Sequence, residues 1–212
     1  MHRDALQFKI KQMKKIILAY SGGLDTSYCL NKLSKEGNEV HAININTGGF
    51  TISETEKIKE KAIKMGAFQF KSINAVQSYY NKIIKFLVFG NVLRNNTYPL
   101  SVSAERTIQA LEIAKYAKKH NATHLAHGST GAGNDQVRFD MVFQVIAPEI
   151  KIITPIRDGN LSRQDEIKYL KNNGVKFNWE KAKYSINKGL WGTSIGGYET
   201  LSSERKLPEE AY

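Results

Sequence analysis

Short apolar runs separated by longer amphipathic stretches set the rhythm of this chain. Ile16-Ile17-Leu18 opens a buried strand over 16–20, Val40 to Ile45 alternates as a second, and Ala67 to Ile73 reads as a third. Thr123 to Ala126 is a fourth strand and Lys151 to Ile156 the last clear one. Between them the helical period returns. Residues 26–36 form a helix ended by Gly37, and residues 54–65 form a second, capped by Ser53 and ended by Gly66. Val76 to Phe89 is apolar on several faces and reads as a packed helix. After the polar stretch Arg94-Asn95-Asn96-Thr97, a long helix over 104–119 places Ile108, Leu111 and Ala114 at helical spacing, with Ala110 and Ala117 near the same face. Ser162 caps a helix over 163–172 whose first turn holds Gln164, Asp165 and Glu166. Strands alternate with helices, so the predicted fold class is α/β: a doubly wound, mostly parallel sheet with helices on both faces. Residues 174–212 show no clean periodicity, and Leu207 to Tyr212 does not read as the close of a domain.

The junction of the first strand and first helix carries the densest chemistry: Ala19-Tyr20-Ser21-Gly22-Gly23-Leu24-Asp25-Thr26-Ser27. Such a turn exposes backbone N–H groups at the positive end of a helix dipole, a ready anion site. Adjacent glycines let the backbone approach a phosphate closely, and Ser21, Thr26 and Ser27 add hydroxyl donors. Asp25 would repel a phosphate; it makes sense if Mg²⁺ bridges the two, which makes it the candidate metal ligand. The loop lacks the lysine of the mononucleotide motif Gly-x-x-x-x-Gly-Lys-Ser/Thr. It resembles instead the pyrophosphate-binding loop of the N-type ATP pyrophosphatases. That resemblance implies that ATP's β- and γ-phosphates are held as a leaving unit while a substrate attacks the α-phosphate. The chemistry implied is adenylation, not kinase chemistry.

A second stretch, His127-Gly128-Ser129-Thr130-Gly131-Ala132-Gly133-Asn134-Asp135-Gln136-Val137-Arg138-Phe139-Asp140, follows the fourth strand. Gln136 stands where a dinucleotide fingerprint needs its last glycine, so that motif is rejected. Thr130, Asn134, Asp135 and Arg138 offer a hydroxyl, an amide, a carboxylate and a guanidinium. An amino-acid ligand needs that mixture, acceptors for its ammonium and donors for its carboxylate. Ligands of open parallel sheets bind at the carboxyl ends of the strands, where both stretches lie.

Charge changes this picture little. The net charge of +11 invites a nucleic-acid partner, yet the lysines are scattered. Lys57, Lys59, Lys61 and Lys64 mix with Glu54, Glu56 and Glu60 on what reads as a solvated helix face. Nucleic acid is disfavoured, and a positive field equally suits ATP and a dicarboxylate. The single cysteine, Cys29, excludes an internal disulfide and a Cys-rich zinc site, and reads as a helix residue that packs or faces solvent. No apolar run reaches the length of a membrane span, and no apolar segment follows the basic start as a secretory signal requires. A cytoplasmic location is expected. Met13-Lys14-Lys15 reads as an initiation site, which would make residues 1–12 an upstream extension.

Taken together, the Ala19–Ser27 loop, Tyr98 with Ser103, the 127–140 stretch, and Tyr184-Ser185 with Leu190-Trp191-Gly192-Thr193-Ser194 resemble the argininosuccinate synthase family, from about residue 14 to the end. The resemblance implies an ATP-dependent ligase of arginine biosynthesis, joining citrulline to L-aspartate through citrullyl-AMP with release of pyrophosphate. It implies that Ala19 to Ser27 hold ATP, with Ile45 near the adenine and Gly128 near the nucleotide. It implies that Thr130, Asn134 and Asp135 hold aspartate, and that Tyr98, Ser103, Asn134, Arg138, Ser185 and Ser194 hold citrulline. No side chain is assigned as a general base. The domain expectation is an N-terminal extension over 1–13, a nucleotide-binding domain of the adenine nucleotide alpha hydrolase type over 14–173, and over 174–212 the incomplete start of an α+β synthetase domain. The resemblance also implies a homo-oligomer, the full-length family being tetrameric. Ser101 and Val102 stand where the family usually has Gly and Thr, Asn187 where it has Asp, and Gly189 where it has Asn. These departures leave an N-modified citrulline open as substrate. Alone, Tyr98 before Pro99 is better explained by packing a turn, and Arg138 by a surface ion pair; the joint pattern carries the reading. Two rivals remain: a tRNA-thiolating member of the same ATPase group, which a single cysteine disfavours, and an inactive nucleotide-binding fragment.

Overall fold

The computed structural model describes residues 13–176, 184–202 and 204–212. Five parallel strands form its centre: β1 (Lys15–Ala19), β2 (Glu39–Asn46), β3 (Gln69–Asn74), β4 (His124–Ala126) and β5 (Lys151–Ile153), in the spatial order β3-β2-β1-β4-β5. β1 is central, with Ile17 level with His41 on one neighbour and Leu125 on the other. Successive side chains of a strand face opposite ways, so β1 feeds two cores. Ile16 and Leu18 pack with Leu30, Leu33, Val40 and Leu170 beneath α1 (Leu24–Lys35) and α8 (Arg163–Asn172). Ile17 packs with Ile43, Ile113, Leu125 and Phe143 beneath α5 (Ser101–Lys119) and α6 (Asp135–Ile146). Strands buried on both faces read as continuous apolar runs, which is why β1 was so legible. Cys29 is fully buried on α1. Among the described residues no helix is long and apolar enough to cross a membrane.

Several boundaries differ from the sequence expectation, each for a local reason. α1 starts at Leu24 rather than 26, so Asp25, Thr26 and Ser27 sit in its first turn. The cap of α2 (Ile52–Lys64) is Thr51, not Ser53: Thr51 and Glu54 form a reciprocal capping box. The residues over 76–89 divide into α3 (Val76–Tyr79), a π-helical turn Tyr80–Ile84, and α4 (Lys85–Phe89). Tyr79 and Ile84 are buried, but Phe86 and Phe89 are exposed, so this helix packs on one side only. α5 begins three residues early, at Ser101, because the Tyr98 hydroxyl accepts the Val102 N–H. α6 has no counterpart in the sequence pattern. β5 stops at Ile153, since Pro155 suits the first turn of a helix and starts the short α7 (Pro155–Asp158). The segment without periodicity contains an antiparallel hairpin, β6 (Ser185–Gly189) and β7 (Gly192–Gly196). The expectation for residues 1–12 lies outside the described residues.

Candidate functional site

The β1–α1 loop is built from backbone. Gly22 holds a φ of +79°, a left-handed conformation, and a Cβ there would come within 3.1 Å of Ile58 on α2. The Gly23 N–H donates to Ser21 Oγ at 3.3 Å, and Ser21 Oγ lies 3.2 Å from Thr26 Oγ1. The first backbone N–H groups of α1 and two hydroxyls, Ser21 and Thr26, therefore converge at its N-terminus. Ser27 does not join them; it is fully buried behind the loop. Nor is Lys61 a solvated surface residue as expected. Its Nζ donates to the Gly22 carbonyl at 2.5 Å, and burial pushes its pKa down to about 8. Asp25 lies 3.5 Å from Arg163. Burial raises its carboxyl, with Arg163 opposing. Behind it, Glu166 is fully buried, and burial and the nearby Asp25 push it to about 8.

The β4–α6 loop is held by side chains instead. The Ser129 N–H donates to His127 Nδ1 at 3.2 Å, so that nitrogen carries no proton and Nε2 donates to Asp140 at 2.9 Å. Arg157 of α7 grips Asp140 at 2.6 Å and Gln136 at 2.9 Å. This lattice fixes the first two turns of α6 against the end of β4 and against α7. Gly128 is what lets the two loops meet, because a Cβ there would sit 3.2 Å from the Asp25–Thr26 backbone.

Asp135 is the hub of the next layer. It accepts from Arg138 at 2.8 Å and from Arg106 of α5 at 3.1 Å. Arg138 also donates to Ser103 at 3.2 Å, which brings the sequence-predicted Ser103, Asp135 and Arg138 into one cluster. Tyr98 stands beside it at the start of α5, with hydrogen bonds from the Ser103 and Ser101 hydroxyls holding its phenol below the usual range against burial. Asn134 caps α6 through its backbone and makes no side-chain cap.

The hairpin closes the site. Leu190 N–H donates to the Thr47 carbonyl at 2.8 Å, and Trp191 donates to the Pro99 carbonyl at 2.7 Å. The approach is so close that a Cβ on Gly49 would fall 1.8 Å from the Lys188 carbonyl oxygen. Ser185 and Asn187 share a face of β6, and Ser194 lies opposite Asn187 on β7. Asn187 accepts from Arg106. Buried Glu105, raised by burial, accepts from Thr47 at 2.5 Å.

These parts enclose a cavity of about 610 Å³ at the carboxyl ends of β1 and β4, the point where strand order reverses. Of the residues predicted from sequence, Ala19, Tyr20, Ser21, Gly23, Leu24, Asp25, Thr26, Ile45, Gly128, Thr130, Asp135 and Ser185 line it. Gly22 and Ser27 support it from behind. Tyr98, Ser103 and Arg138 form the adjoining cluster joined to it through Asp135. Sequence reasoning missed Arg106, Glu105, Gln109, Asn44 and Arg163, which also line the wall. Glu105, Arg106, Gln109 and Asn44 stand on a helix and a strand whose pattern announces packing, and Arg163 opens a helix that reads as mostly solvated. Among the described residues no three His, Cys, Asp or Glu side chains are grouped to hold a metal ion. Asp25 fits Mg²⁺ only in the manner of a cation that arrives on phosphates and takes one protein carboxylate.

Residues 15–176 match the family model described as "Arginosuccinate synthase N-terminal HUP domain". An argininosuccinate synthase of Saccharolobus solfataricus is 40% identical over 93% of this chain and 50% of its own length. That of Methanocaldococcus jannaschii is 40% identical over 92% of this chain and 49% of its own. That of Lactiplantibacillus plantarum is 41% identical over 86% of this chain and 44% of its own. The chain thus spans about half the length of the curated relatives it matches. A five-stranded parallel sheet with a glycine cradle at its switch point, matched across three quarters of the sequence, leaves one assignment: the chain belongs to the argininosuccinate synthase family.

Proposed function

We propose that this chain carries the ATP-activating centre of an argininosuccinate synthase, the ligase that joins citrulline to L-aspartate with formation of AMP and pyrophosphate. The observation that supports it most is the opening of two chemically different loops onto one cavity. The β1–α1 loop offers backbone and hydroxyl donors suited to a polyphosphate. The β4–α6 loop and the start of α5 offer the mixed donors and acceptors of an amino-acid site.

The chemistry follows from the substrates. A ureido carbon is a poor electrophile and its oxygen a poor leaving group; adenylation remedies both. Ser21, the Gly23 N–H and Thr26 would hold the terminal phosphates, leaving the α-phosphorus open on the side of the β4–α6 loop. Ile45 and Gly128 would flank the nucleoside. Tyr98, Ser103, Arg138, Ser185 and Ser194 would orient citrulline, with Arg138 on its carboxylate, and Thr130, Asn134 and Asp135 would receive aspartate. Asp25 would bind Mg²⁺, which neutralises phosphate charge when present. The reaction asks no side chain for a general base. Positioning and electrostatic preorganisation supply the rate. The tRNA-thiolating rival finds no sulfur carrier, because Cys29 is fully buried and its thiol is raised well above its usual range.

Exchange of labelled pyrophosphate into ATP tests the reading. Citrulline-dependent exchange supports it. ATP binding with no exchange at saturating citrulline overturns it in favour of an inert nucleotide-binding fragment.

A further inference from the structure

The phosphate loop contains a Gly22–Gly23 peptide, and that peptide has two orientations open to it. Neither residue has a Cβ to bias the plane. In a trans peptide the C=O and N–H point opposite ways. One orientation turns the Gly23 N–H toward the cavity, ready for an anion. The other turns the Gly22 carbonyl there, where its partial negative charge repels a phosphate. Local sequence does not choose between them.

α2 does. Lys61 reaches across from the neighbouring helix, and its Nζ donates to the Gly22 carbonyl at 2.5 Å, drawing that oxygen away from the cavity. The Gly23 N–H then lies on the cavity side, where it makes a long 3.3 Å hydrogen bond to Ser21 Oγ that an incoming anion can replace, and both residues line the cavity while Gly22 does not. Ile58, one turn earlier on α2, closes against Gly22 and leaves the loop little room to shift. We propose that Lys61 is a positioning residue: anchored on α2, it sets the Gly22–Gly23 peptide in the orientation that accepts a polyphosphate. The loop that lacks the mononucleotide-motif lysine thus borrows a lysine from 39 residues away, used on the protein's own backbone.

This inference rests on the ATP reading above, and calorimetry of the 212-residue chain with ATP and with AMP separates the two. Lys61→Met is expected to weaken ATP roughly ten- to a hundredfold, the size of a charge-assisted hydrogen bond, and to leave AMP affinity as it was. Lys61→Gln, which keeps a donor without the charge, is expected to recover part of the loss; it also serves if the methionine variant fails to fold. ATP bound by the Met and Gln variants as by the wild type overturns the inference and leaves the ATP reading standing. Equal losses for ATP and AMP show a merely structural lysine and overturn it too. A wild-type chain that binds no ATP overturns both.

Discussion

The two loops at the mouth of the sheet solve the same problem by opposite means. After β1, the proposed ligand groups are main-chain atoms and short hydroxyls; Ile58 and Lys61 of α2 support them from behind, and Arg163 of α8 stands beside Asp25 on the cavity wall. After β4, the proposed ligand groups are polar and charged side chains, and the supports are other side chains: His127, Asp140, Arg157 and Arg106. A backbone cradle depends on conformation, so it should fail when a Cβ or a flipped peptide disturbs it. A side-chain lattice depends on complementary charge, so it should fail when a partner or its protonation changes.

The strongest way to break this comparison is Gly22→Val. It forces a β-branched residue into a left-handed φ and against Ile58, at a cost of about 2–4 kcal/mol. ATP affinity measured by calorimetry should be lost, while the amino-acid side keeps its charges. If Gly22→Val binds ATP normally, the cradle is not the nucleotide site.

Arg157→Ala comes next. It leaves Asp140 with His127 alone and takes the donor from the Gln136 side-chain carbonyl, costing about 1–3 kcal/mol. Thermal denaturation should show the loss, and aspartate binding should weaken more than ATP binding. Equal loss of both ligands would show that the lattice serves the whole mouth, not one loop.

Acid should act on the same lattice. Burial holds His127 below its ordinary value of 6.5, with the Asp140 hydrogen bond opposing. A depressed folded value means the unfolded chain takes the proton more readily. The stability His127 contributes is therefore complete above pH 6.5 and is lost as pH falls through the folded value. Asp140, held low by His127 and Arg157 despite burial, acts in the same direction at lower pH. Thermal midpoints of the wild type should fall with acid across this window more steeply than those of His127→Asn. Parallel curves would remove His127 as the titrating group.

The smallest effect is expected from Asn187→Asp. It turns a neutral acceptor of Arg106 into a charged one, but Asp135 and Glu105 already face that guanidinium. A gain of about 0.5–1 kcal/mol in unfolding free energy is the most such a partly shielded pair should give.

How much was legible follows from how each part is built. The glycine cradle announced itself because its donors are contiguous and its conformation needs particular residues, and the family resemblance supplied ligand classes that spacing alone would not. The cap of α2 was misplaced by two residues because Thr51 and Ser53 both suit the role, and only the reach of Glu54 decides. Lys61 was read as solvated because its period matches that of the exposed lysines beside it. Arg106 escapes the sequence reading because it stands between buried Glu105 and Ile108 on a helix whose pattern announces packing.

The sequence alone determined the strands, their alternation with helices, and the glycine turn between β1 and α1. These depend on period, propensity and short-range backbone geometry, all of which are local. Only the tertiary structure decided which way the Gly22–Gly23 peptide faces, that a hairpin with no periodic signature seals the cavity, and that Asp135 joins α5 to α6. Those outcomes depend on contacts between residues distant in the chain, where the free energy belongs to a pair and neither member shows it by itself.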